Sequence, residues 1–237
     1  MTVTQLTGLQ KQLHEKIRKC AEENDLIKQK PFLAPIYDGV KDIKAYLNST
    51  PKIMWILKEP YEDSTASGKF KGGDRLIVDG DVSELVSPFW QVIRQVNYGI
   101  RNNMSWADLP YAEDEPQMYE EINKMAFINV GKMPAATSSP DSHIAKCYDI
   151  WKDIIHEQIT TYAPDVIIFG KTFHLLADFF QIDEKPVSTV AGQWNTDAYK
   201  KDNLILIDAY HPSRKGGEDA SKDYVTSIIK SYQKLSK

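Results

Sequence analysis

Four short runs dominated by apolar residues, each ending in a polar segment, organise the chain: 53–57, 125–130, 165–170 and 204–208. None alternates and none is long enough for a helix, so each reads as a strand buried on both faces, the signature of a parallel sheet. Between them the apolar spacing turns helical. Leu6, Leu9, Leu13, Ile17 and Cys20 mark one stripe over residues 4–24, with His14 on the polar, solvated side. A short helix is expected over 40–47. Ser87-Pro88 opens another through Phe89, Val92, Ile93 and Val96. Residues 97–121 read as irregular. Ser142 is placed to cap a helix through Ile144, Cys147, Trp151, Ile155 and Ile159 that stops before Pro164. Leu175, Leu176 and Phe179 mark a shorter one, and Val225, Ile228, Ile229, Tyr232 and Leu235 the last.

Strands alternating with helices predict an α/β fold of three layers, α/β/α, around a central four-stranded parallel sheet. With 237 residues, 42% hydrophobic and 26% charged, a single domain over 1–237 is expected, with 1–50 a helical extension packed on it. Two cysteines, Cys20 and Cys147, outside any metal-binding or disulfide spacing, argue against a zinc site, an iron–sulfur cluster or a disulfide scaffold. His143 and His156, thirteen residues apart, lack partners at metal-ligand spacing, so neither metal nor cofactor is expected. No apolar signal core or membrane-length run is present, which predicts no membrane partner and a cytoplasmic location.

If the four strands are parallel, their carboxyl ends deliver four polar segments to one edge, where open α/β sheets bind ligands. These are Lys58-Glu59-Pro60-Tyr61, Asn129 to Pro134, Gly170-Lys171-Thr172, and His211-Pro212-Ser213-Arg214-Lys215. Gly170-Lys171-Thr172 imitates the tail of a P-loop, but that motif needs glycine where Asp165 stands, which excludes an ATPase. Asn129 lies inside an apolar run, so its amide is either satisfied by a neighbouring loop or turned toward a ligand. The formal charge of −4 is unusual for a nucleic-acid binder. The edge is different: Lys58, Lys69, Lys71 and Arg75 balance Glu59, Glu62, Asp63 and Asp74, while Lys132, Lys171, Arg214 and Lys215 add four cations.

The order of these segments resembles the uracil-DNA glycosylase superfamily. Leu57-Lys58-Glu59-Pro60-Tyr61 is similar to its first motif, which reads Gly-Gln-Asp-Pro-Tyr, Gly-Glu-Ala-Pro-Gly or Gly-Ile-Asn-Pro-Gly, although Lys58-Glu59 reproduces none of these. His211-Pro212-Ser213 matches its second motif. Phe127-Ile-Asn129-Val-Gly-Lys132-Met-Pro134 resembles the segment Asn-Val-Val-Lys-Cys-Arg-Pro-Pro of bacterial and archaeal members, and Pro164 to Gly170 looks like the strand before the last motif. The iron–sulfur members need four cysteines, so the likeness is to cluster-free or divergent members.

The resemblance implies a uracil-DNA glycosylase-like fold and hydrolysis of the N-glycosidic bond of a deaminated or damaged base in DNA, taken as a single strand or as a flipped base. Glu59 and His211 would be catalytic. Asn129 would read the base edge, with Tyr61, Phe70 or Phe89 stacking on it. Lys58, Lys132, Lys171, Ser213, Arg214 and Lys215 would hold phosphates. Two other readings fit the same residues: a non-catalytic nucleic-acid or nucleotide-binding protein of this fold, which the Lys58-Glu59 departure favours, and a hydrolase of small nucleosides or nucleotides, which the acidic total charge favours.

Overall fold

A computed structural model describes residues 1–26, 34–60, 82–85, 87–135, 139–213 and 217–236. Among them the strands are β1 (Gly39–Val40), β2 (Ile53–Leu57), β3 (Met125–Asn129), β4 (Val166–Gly170), β5 (Val187–Ala191), β6 (Trp194–Lys201) and β7 (Leu204–Ala209). All seven join one sheet in the order β1-β3-β2-β4-β7-β6-β5. The four expected strands form its parallel centre, β3-β2-β4-β7. The four-stranded sheet is corrected to seven, because β1 joins β3 antiparallel and the hairpin β5–β6 joins β7 antiparallel.

The hairpin escapes a reading by apolar pattern for a physical reason. Its buried positions are Thr189, Thr196 and Ala198, while Val190 is 71% exposed. The Thr196 and Ser227 hydroxyls satisfy each other at 2.7 Å, so small polar groups do the inward packing. A two-residue loop, Gly192-Gln193, joins the strands, and Gly192 takes φ +53°, as tight hairpin turns require.

Among the described residues six helices cover the sheet: α1 (Val3–Glu23), α2 (Ile43–Leu47), α3 (Pro88–Arg101), α4 (Asp141–Tyr162), α5 (Phe173–Phe180) and α6 (Glu218–Leu235), with short 3₁₀ turns within 82–121. The helix start expected at Ser142 falls at Asp141, with Pro140 as N-cap. Strand parity sorts the core into two halves. Ile53, Trp55, Leu57, Phe127, Ile168 and Ile207 pack with α3 and α6. Met54, Ile56, Ala126, Ile128, Phe169 and Leu206 pack with α1, α4 and α5. Fully buried β2 residues such as Trp55 and Ile56 each contribute roughly 1.5–3 kcal/mol by leaving water. Trp55 directs its indole N–H to Asn97 Oδ1 at 2.9 Å.

At the β1 edge Gln10 of α1 makes a pair of bonds to one residue. Its amide N–H₂ donates to the Val40 carbonyl and its Oε1 accepts from the Val40 N–H, both at 2.9 Å. His14, expected to be solvated, instead contacts the Asp38 carbonyl at 3.2 Å, and burial lowers its pKa.

Candidate functional site

The parallel pairing of β2 with β3 continues past the strand ends and sets the first part of the edge. Val130 N–H donates to Leu57 O, Gly131 N–H to Lys58 O and Ala135 N–H to Pro60 O, at 2.7–2.9 Å. Glu59 is thereby held against Gly131. A Cβ at Gly131 would lie 3.2 Å from Glu59 Cβ and 3.3 Å from Cys147 Sγ, so glycine lets three segments meet there.

The Glu59 side chain is only 5% exposed, and its Oε2 lies 3.1 Å from His143 Nε2 on the first turn of α4. Cys147, one turn further along, places Sγ 3.5 Å from the same nitrogen. The ligand atoms of Glu59, His143 and Cys147 all lie within 4.8 Å of one another, a donor set able to hold a metal ion. The expectation that His143 has no partner at metal-ligand spacing is therefore corrected: Cys147 stands four residues on, and the third donor comes from another element.

Of the expected phosphate ligands, Lys132 is misplaced. Its ammonium is fully buried, 2.8 and 2.9 Å from the two Asp38 carboxylate oxygens and 2.8 Å from Gln158 Oε1, and so cannot meet a phosphate. Burial lowers its pKa, and Asp38 opposes the shift. Lys58 and Lys171 do lie at the edge but share Asp141, at 2.9 and 3.6 Å. The hydrogen bond from Lys58, then the charges of both lysines, hold the Asp141 carboxyl below its ordinary pKa. Thr172 is structural, its hydroxyl donating to Ile56 O at 2.7 Å. Ser213 is exposed. Tyr61, Phe70, Arg214 and Lys215 lie outside the described residues.

The Asp38 cluster also anchors Asn129. Its backbone N–H donates to Asp38 Oδ2 at 2.7 Å, and the residue is 1% exposed. Strand alternation puts Asn129 on the same face as Phe127. Phe127 contacts Phe89 edge-on, with ring centroids 6.4 Å apart, and Phe89 in turn lies 5.9 Å from the His211 ring at 30°. Ser213 N–H donates to His211 Nδ1 at 3.2 Å, so in the neutral ring the proton sits on Nε2. Gly170 makes room for this loop: a Cβ there would be 2.3 Å from Leu57 Cδ2, 3.3 Å from Pro212 Cδ and 3.5 Å from His211 Cα.

No protein-family model and no curated protein matches the chain.

The edge thus holds two groupings. Glu59 with His143 pairs a carboxylate and an imidazole within hydrogen-bond reach, an arrangement suited to taking up a proton. His211, Phe89, Phe127 and Asn129 line the α3 side with a ring N–H donor beside aromatic faces. The sequence pattern sets His143 and Cys147 aside as ligands. Their i, i+4 spacing is visible there, but the carboxylate that completes the trio is not local.

Proposed function

We propose that the protein hydrolyses the N-glycosidic bond of a deaminated base in DNA, in the manner of the uracil-DNA glycosylases it resembles. The observation that carries this reading is the relation of Glu59 to His211. They follow β2 and β7, which flank β4. The two strands lie two spacings, about 10 Å, apart, and the intervening strand ends in Gly170, against which Leu57 and the His211 loop pack. Phe89 offers an extruded base a ring beside His211 on which to stack.

The chemistry follows from the two ends. As the bond from C1′ to the base nitrogen breaks, its electron pair leaves with the base and the sugar becomes cationic. His211 Nε2–H donates to the base oxygen where negative charge collects. The Glu59 carboxylate opposes the sugar cation and orients a water toward C1′. The water adds its oxygen there and gives its proton to the carboxylate, with His143 next in line. Asn129, fixed through Asp38, reads the base edge.

Single-turnover cleavage of a uracil-containing single strand, against a matched thymine strand, tests the reading. His211→Ala should slow the chemical step by about 10²–10³-fold with affinity nearly unchanged, because its bond strengthens mainly in the transition state. Tight binding without cleavage of any deaminated base, lost in His211→Ala, would instead make the site a recognition pocket.

A further inference from the structure

We infer that Glu59, His143 and Cys147 form a binding site for a thiophilic divalent cation, zinc being the natural occupant. The geometry carries the inference independently of the glycosylase reading. Zinc binds carboxylate oxygen and imidazole nitrogen at about 2.0–2.2 Å and thiolate sulfur at about 2.3 Å. Tetrahedral angles then place nitrogen about 3.3 Å from oxygen and about 3.6 Å from sulfur. The observed separations are 3.1 Å for His143 Nε2 to Glu59 Oε2 and 3.5 Å for His143 Nε2 to Cys147 Sγ. The oxygen and sulfur lie within 4.8 Å of each other. A cation entering the triangle therefore asks each donor to move by a few tenths of an ångström, apart from the closing of that last edge.

The support is rigid. Glu59 is fixed by the backbone bonds that join the β2 and β3 loops, and His143 and Cys147 project from consecutive turns of a 22-residue helix. Gly131 keeps the backbone close to both the carboxylate and the thiol. His143 is half exposed, which leaves a path for the ion and an open fourth position for water. The start of α4 carries a positive partial charge that disfavours a cation, but the Glu59 carboxylate and a Cys147 thiolate supply two full negative charges against it. The neighbouring ammonium of Lys58 is held by Asp141.

Binding breaks the Cys147 S–H bond, releases that proton to solvent and forms the sulfur–metal bond, with no change of oxidation state. Nε2 of His143 then binds the cation, and the ring proton sits on Nδ1. A cation bound here takes the Glu59 carboxylate as ligand, so it competes with any role of Glu59 toward a sugar.

Cobalt(II) titrated into the full chain, with zinc as competitor, tests the site through its spectrum and needs no enzymatic activity. One cobalt per chain should bind with a thiolate-to-cobalt charge-transfer band that zinc abolishes. Cys147→Ser should lose the band, while Cys20→Ser, altering the other cysteine on α1, should keep it. His143→Gln and Glu59→Gln should each weaken binding by about tenfold or more. Because His143 is exposed, His143→Gln remains informative if Cys147→Ser fails to fold. Absence of the band in the wild-type chain at saturating cobalt, its loss in Cys20→Ser, or undiminished affinity in His143→Gln would overturn the site.

Discussion

Removing the Asp38 carboxylate should be among the most damaging single changes to this fold. The Asp38 side chain is 3% exposed and that of Lys132 is not exposed at all. Asp38→Ala leaves the Lys132 ammonium buried with, among the described residues, only the Gln158 oxygen against it, an uncompensated charge that costs about 3–5 kcal/mol. It also strips the Asn129 N–H of its acceptor, at about 1–3 kcal/mol for an orphaned group, and leaves the Gln158 amide the backbone carbonyl of residue 38 at 3.3 Å in place of the carboxylate. These costs overlap, and about 4–6 kcal/mol is a large share of the roughly 5–15 kcal/mol by which domains are stable. For a chain of this size that is a fall in Tm of about 10–20 °C. Urea unfolding followed by circular dichroism measures it. The double variant Asp38→Leu, Lys132→Met removes both charges, so it should be less destabilised than the sum of its singles by about 2–3 kcal/mol. The pH dependence has a definite sign. A buried lysine whose pKa is lowered binds fewer protons folded than unfolded, so the Asp38→Ala variant should regain stability as pH rises toward the ordinary lysine range. A loss under about 1 kcal/mol, or strict additivity in the double variant, would refute the argument.

Burial, then the charge of Asp197 opposite, pushes the Asp208 carboxyl up to about 6. The folded state then binds the proton more tightly, so stability falls as pH rises from about 4 to 6; Asp208→Asn should raise it by about 1–2 kcal/mol at pH 8, discounted for partial exposure, and leave it unchanged near pH 3.5. Equal effects at both pH values in thermal melts would count against this. Gly170→Ala drives a methyl carbon into Leu57 and the His211 loop, so it should cost about 1–3 kcal/mol in urea unfolding and slow the proposed cleavage as well; unchanged stability would mean that Leu57 can yield. Asp141→Asn frees Lys58 and Lys171, so single-stranded DNA should bind more tightly, with a salt slope steeper by up to roughly 0.7 for each lysine that gains a phosphate. An unchanged slope would show that neither does.

The parallel centre was legible because β2, β3 and β4 are buried at every position, and a strand with two covered faces must be apolar throughout. The hairpin was not, since hydrophobic counting looks for large inward side chains and this one turns threonine and alanine inward. Glu59 and His211 were legible as residues delivered by strand ends. Lys132 was misread for the same reason: a lysine just after a strand looks like a loop cation, and its partner Asp38 stands 94 positions upstream. His143 suffers likewise from distance, its carboxylate being 84 positions away. What local sequence hides here is the pairing of charges across elements, which only the packing of α1 and α4 on the sheet decides.

Gln10 gives the first helix a second task. A primary amide presents a donor and an acceptor side by side, as a peptide group does, so by bonding both polar groups of Val40 this side chain imitates the next strand and ends the sheet. An open strand edge is a template on which another chain can lengthen the ladder. Here that template is filled by one glutamine, whose loss would leave β1 able to recruit a strand from a neighbouring molecule. The same bonds hold Gly39 and Val40, and so Asp38 just before them, in place beneath Asn129. Detachment of α1 would therefore promote self-association and loosen Asn129 at the sheet edge, two faults from a single undocking.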